Sequence, residues 1–188
     1  MAEEARAIAP VPVLWYRANQ ESYGVEITMQ GLPTIEDAER FHGHMCPGLA
    51  LGYRVAVEAM EALGCARAGD EELVAVVEND SCAVDAIQVV CSCTFGKGNL
   101  IFRDHGKHVY TLHDRKRGRG VRVSVEWPGH EQDPEFDRLR EAVSTGEGSP
   151  EQKEAFWAKM RERAQAVLEA PASTFLTIEA AAEPPPPK

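Results

Sequence analysis

A chain of 188 residues with 44% hydrophobic and 27% charged residues is long enough for one sizeable core, or one core with a small appendage. Its 20 Lys and Arg against 30 Asp and Glu give a formal charge of −10, and this repulsive field excludes general affinity for nucleic-acid phosphates as the main activity. No apolar run approaches the roughly 20 residues of a membrane span, and MAEEARAIAPVPVLWYR is acidic where a secretory signal is basic, so a cytoplasmic protein that avoids membranes is expected.

Residues 1–33 contain two proline-spaced pieces, PVPVLWYR and YGVEITMQGLP. Their β-branched content suggests an extended arm with a strand near Val25–Met29. Thr34 followed by Asp37 resembles a capping box, and Ile35, Ala38 and Phe41 have helical spacing, so a short helix should deliver His42. After Pro47 and Gly48, apolar residues from Leu49 to Leu63 recur at three- and four-residue steps and stop at Gly64. This pattern predicts a core helix with Pro47 in its first turn.

LVAVVEN, Leu73–Asn79, is short, β-branched and almost wholly apolar, and reads as a buried strand. CAVDAIQVVCSC, Cys82–Cys93, returns to helical spacing and ends in the glycine-rich TFGKGN. KHVYTLH and VRVSVEW alternate as antiparallel strands with RKRGRG as their turn. The wider DRKRGRGVR segment is locally basic and reads either as an anion-attracting patch or as a solvated hairpin turn. Two helices follow, one in DPEFDRLREAVSTGEG and a longer one with Ser149 as N-cap and Pro150 at its first position. FLTIEA suggests a last strand, and EPPPPK a polyproline-like tail. The organisation is an arm at 1–33, an α+β core domain at 34–180 and a Pro-rich tail at 181–188. Within that single compact domain a mainly antiparallel sheet should be packed by helices.

Cys46, Cys65, Cys82, Cys91 and Cys93 are an odd number of cysteines in a chain without a recognisable export signal. Metal or thiol chemistry suits them better than a disulfide scaffold. In FHGHMCPG, His42, His44 and Cys46 alternate, so an extended segment would turn them to one side. Imidazole and thiolate suit zinc or another transition metal better than calcium or magnesium. Cys46 also stands at the mouth of the long helix, where the dipole and free N–H groups favour a thiolate. A metal loop, a reactive thiol with His44 or His42 as base, and a structural loop all fit this stretch.

Cys82 occupies a similar place, after a strand and before a helix, where ligands gather in α/β arrangements. Glu78, Asn79, Asp80 and Asp85 stand near it as a base or as partners that orient a histidine ligand, although a helix-capping turn would use the same residues. Cys91 and Cys93 diverge by about 200° on a helix. Cys93, next to the glycine turn, is preferred for the site, with Cys91 assigned to the core and Cys65 incidental. Lys97 in TFGKGN is a candidate cofactor-binding residue through an exposed ammonium, and Lys107 and Tyr110 are candidate pocket-lining residues. His105, His108 and His113 form no ligand pattern and are left out of the site.

FHGHMCPGLALGYR, VVENDSCAVDAIQ and CTFGKGNLIFRDHGKHVYT together resemble the FmdE family, associated with formylmethanofuran dehydrogenase, over roughly Ile35 to Val125. The resemblance implies an α+β core, usually a homodimer, with a metal-binding cleft. His42, His44, Cys46, Cys82 and Cys93 are the residues carried over as metal ligands, and zinc is the expected ion. It also implies, as partners, the subunits of a molybdenum- or tungsten-dependent oxidoreductase of one-carbon metabolism. Relatives often continue into a C-terminal zinc finger, but no cysteine follows Cys93 here. Cys91 also departs from the pattern, standing where a noncysteine residue is expected. The expected function is a metal-binding subunit or accessory protein. The alternatives are a stand-alone enzyme with Cys46 and His44 as catalytic residues and a dimeric interaction module.

Overall fold

The apolar stripe that begins at Leu49 is the organising element. In the computed structural model, which describes residues 31–127 and 133–181, it forms helix α2, Pro47–Leu63, with ten buried residues along it. Pro47 supplies the pre-set φ of a first turn, and Gly64 ends the helix in the left-handed region at φ 59°. Before it lies α1, Ile35–His42, opened by the Thr34–Asp37 capping box and closed by Gly43 at φ 97°. The expected strand at Val25–Met29 and residues 182–188 of the expected Pro-rich tail lie outside the described residues, and Ala181, assigned to that tail, belongs to the last strand.

Strand β1, Leu73–Val77, is buried at every position. Helix α3, Ala83–Cys91, follows it and stops where Ser92 turns left-handed at φ 57°. The sequence pattern did not reveal β2, Leu100–Phe102, which pairs parallel to β1. Three residues are too few to show a period. Strands β3, Val109–Asp114, β4, Arg119–Val125, and β5, Leu176–Ala181, continue the sheet antiparallel in the order β2-β1-β3-β4-β5. This is a mainly antiparallel α+β domain, as expected.

Leu73, Ala75 and Val77 of β1, with Tyr110, Leu112 and Val123, join Val55, Ala56 and Met60 of α2 and Ile87 and Val90 of α3 in one core cluster. Each fully buried Leu, Val or Ile there contributes about 1.5–3 kcal/mol relative to exposure. Helices α4, Pro134–Ser144, and α5, Pro150–Glu169, form a hairpin joined by a stacked Phe136–Phe156 pair. Its attachment to α2 is polar at one end. The Arg54 guanidinium donates to the carbonyls of Val167, Leu168 and Ala170 at 3.1, 2.8 and 2.7 Å, satisfying the carbonyls that a helix C-terminus leaves open.

The basic hairpin is built into the fold. Arg117 pairs with Asp114 at 2.8 Å, and Arg119 donates to the carbonyl of Leu63 at the end of α2. Among the described residues, no helix is long and apolar enough to cross a membrane.

Helices α2 and α3 meet backbone to backbone. A β-carbon on Gly52 would lie 2.1 Å from the carbonyl oxygen of Ala83 and 2.5 Å from its Cα, contacts that only glycine avoids. Gly52→Ala is expected to destabilise the protein by about 3 kcal/mol in denaturant unfolding. Gly96→Ala, with nothing within 4 Å, should change stability by no more than about 0.5 kcal/mol. Equal effects of the two substitutions would contradict this packing.

Candidate metal centre

The close approach of α2 and α3 fixes what stands at their N-terminal ends. Cys46 is the N-cap of α2, extended at φ −146°, and its sulfur accepts from the Leu49 N–H at 3.3 Å. Cys82 immediately precedes α3. A β-carbon on Gly48 would lie 3.1 Å from Cys82 Cβ, 3.8 Å from Cys82 Sγ and 3.9 Å from Cys46 Sγ. The missing side chain therefore leaves room for both thiols beside it, although the convergent ligand set holds His42, His44 and Cys46 and does not extend to Cys82.

Helix α1 ends at His42, and the turn through Gly43 brings His44 alongside it, with ring centroids 4.5 Å apart. Ligand atoms of His42, His44 and Cys46 all lie within 4.8 Å of one another. His42 Nε2 is 3.9 Å from Cys46 Sγ, and its Nδ1 is 2.7 Å from Asp85 Oδ2. Of the acidic neighbours named from sequence, Asp85 is the one that reaches a histidine. It projects from the first turn of α3 and also accepts from Gln88 Nε2 at 3.2 Å. Glu78 instead pairs with Arg122 of β4.

Cys46 is 2% exposed, and this decides its protonation. Burial pushes its thiol up to about 11, and the neighbouring Cys82 adds to the rise, against the opposing pull of the Leu49 and Gly48 amides. The expectation that the helix mouth alone would lower it is corrected, because desolvation is the larger effect. Burial and the adjacent His42 lower the pKa of His44 and so favour its neutral form.

The remaining sequence candidates separate by position. Cys93 does not join the cluster. It is fully buried at the start of β1, with Sγ 3.4 Å from the Leu73 carbonyl, whereas the cluster lies beyond the end of that strand. Left-handed Ser92 does release Cys93 from the helical path, but toward the core, and burial pushes its thiol up to about 12. Cys91 is buried as assigned, and Cys65 packs against Met60.

Lys97 lies in a turn held at the start of β1 by Asn99, whose side chain donates to Leu73 and Asp70, and its ammonium bonds Ser92 Oγ at 2.9 Å. This places it away from the cluster. Lys107 is nearer, but it meets the site through its carbonyl, which accepts from Asn79 Nδ2 at 2.8 Å, while its side chain is exposed.

Beside His42 opens a cleft of about 300 Å³. Val77, Val84, Leu100 and Phe102 give it an apolar wall, and Asn79, Asp80, Ser81 and Cys82 a polar end. Asn79 also bonds Tyr110 OH at 3.1 Å and lies 3.2 Å from His108 Nδ1, and Ser81 Oγ donates to Asn79 Oδ1 at 2.8 Å. His108 thus belongs to the cleft's supporting network, although isolated histidines gave no sequence signal. His113 is instead buried in β3 against Gly120, and His105 is exposed. Trp157 of α5 meets the His44 ring edge-on at 5.1 Å, and no local pattern linked these residues.

The donor set fits a borderline divalent cation. Two imidazoles and a buried thiol converge, and one imidazole has its second nitrogen on a carboxylate, the arrangement that orients histidine ligands in zinc sites. Tetrahedral bonds of about 2.0–2.3 Å imply ligand separations of about 3.5 Å, so modest contraction from the present spacing would suffice.

Comparison with known proteins agrees with the sequence resemblance. The family model described as FmdE, molybdenum formylmethanofuran dehydrogenase operon, matches residues 41–177. A probable S-adenosyl-L-methionine-binding protein of Archaeoglobus fulgidus is 46% identical over an alignment of 93 residues that covers 47% of this chain and 25% of that protein. The match thus spans about a quarter of that relative's length. The crystal structure of a tungsten formylmethanofuran dehydrogenase FmdE-like protein from Syntrophus aciditrophicus aligns with a TM-score of 0.50 at 24% identity. It covers 80% of this chain and 71% of that one, and it shows a shared fold. With most of its length matched by the family model, the chain belongs to the FmdE family.

Proposed function

We propose that this FmdE-family chain holds one transition-metal ion, zinc being the best fit, through His42, His44 and Cys46, with Cys82 beside them. On this reading it works in the cytoplasm as a homodimeric subunit or accessory protein of molybdenum- or tungsten-dependent one-carbon redox metabolism. The observation that carries the metal assignment is the ordered line from Asp85 through His42 to Cys46, with His44 alongside. When bound, such an ion supplies Lewis acidity toward a carbonyl oxygen in the adjoining cleft.

The chain's own residues have separable tasks. Asp85 fixes the tautomer of His42 by accepting its Nδ1 proton, leaving Nε2 free to ligate. The Leu49 and Gly48 amides would stabilise a thiolate at Cys46. The wall of Val77, Val84, Leu100 and Phe102 lowers the water content of the cleft, and the Asn79–Ser81–Tyr110 network holds its polar end rigid.

A second reading rests on the same line of residues. Cys46, His42 and Asp85 have the order of a nucleophile, its base and the carboxylate that orients the base. The buried thiol, pushed up to about 11, weighs toward the metal, because a neutral thiol is a poor nucleophile.

Protein prepared without oxygen should contain about one transition-metal ion per chain by elemental analysis, and both His44→Ala and Cys46→Ser should lose it. Unchanged metal content in both variants would contradict the assignment. Asp85→Asn should retain the fold while weakening metal affinity by about 10- to 100-fold in chelator competition. Wild-type affinity in that variant would remove Asp85 from the site.

A further inference from the structure

The two histidines of the cluster are supported unequally. His42 is held by a hydrogen bond to Asp85, whereas among the described residues neither ring nitrogen of His44 has a hydrogen-bond partner. His44 also sits in the short connection between the left-handed C-cap Gly43 and the N-cap Cys46, so no regular backbone fixes its side chain. Its ring meets His42 on one side and the Trp157 indole at 5.1 Å with an interplanar angle of 65°.

The indole is itself well supported. Trp157 meets Phe156 edge-on at 5.1 Å, Phe156 stacks on Phe136 at 5.5 Å, and Arg163 lies 3.7 Å over the Phe136 ring. Met160, one turn along the same helix, packs against the small cluster that contains Cys46, Ala38, Leu49 and Ala86. Arg54 secures the far end of α5 to α2.

We propose that Trp157 is a positioning residue for the metal centre, the aromatic counterpart of Asp85, which sets the ring plane of His44 and thereby its readiness to ligate. This rests on the metal reading above and adds to it a residue 113 positions along the chain from its target. An edge-on aromatic contact restricts ring rotation without competing for the ring nitrogens, so both remain available. The α4–α5 hairpin is on this view part of the site.

The test adds cobalt(II) alone, without oxygen, to the metal-free full chain and reads the dissociation constant together with the visible ligand-field and sulfur-to-cobalt bands. Trp157→Ala should weaken binding by about 10- to 100-fold and alter the ligand-field bands, while Trp157→Phe, which keeps an aromatic edge, recovers most of the affinity. Phe136→Leu loosens the same aromatic cluster without touching His44. It should lower the unfolding temperature yet cost clearly less cobalt affinity than Trp157→Ala, because it reaches the indole only through Phe156. Wild-type affinity and spectrum in Trp157→Ala would overturn this inference and leave the metal centre standing, and so would an equal loss of affinity in Phe136→Leu. Absence of cobalt uptake by the wild-type protein would overturn the metal reading and this inference with it.

Discussion

The candidate centre depends on two places where a side chain is missing. At Gly52 the backbone of α2 lies against Ala83 at the start of α3, and at Gly48 it leaves room for Cys82. Only helices in such close contact bring their N-terminal mouths together, and those mouths carry Cys46 and Cys82. The site is therefore a consequence of helix packing. The same packing buries Cys46, and that burial raises the pKa of its thiol.

Three elements converge on that point from different directions. Helix α1 ends at His42 and turns at Gly43 to present His44. Helix α3 supplies Asp85 from its first turn. Helix α5 brings Trp157, held in place by Arg54 at one end and by the stacked phenylalanines beside it. The sheet contributes the cleft next to the cluster, through the end of β1 and the short strand β2.

Much of this was legible in the sequence because it is local. The period of α2, the Thr34–Asp37 and Ser149 caps, the buried β1 and the alternation of His42, His44 and Cys46 all show within a dozen residues. Asp85 could be named because it lies three residues after Cys82 at a predicted helix start. What escaped was set by long-range packing or by one backbone angle. Strand β2 is too short to carry a period, and the left-handed Ser92 sends Cys93 toward Leu73. Lys97 serves a turn at the wrong end of β1, and nothing local to Trp157 points to a histidine over a hundred residues earlier.

The claim on which the rest stands is that both imidazoles and the Cys46 sulfur bind one ion. X-ray absorption at the metal edge of protein purified without oxygen reads those bonds directly. A centre built from His42, His44 and Cys46 should give a shell of about four ligands with nitrogen near 2.0 Å and at least one sulfur near 2.3 Å. A shell of light atoms only, with no sulfur scattering, would contradict it.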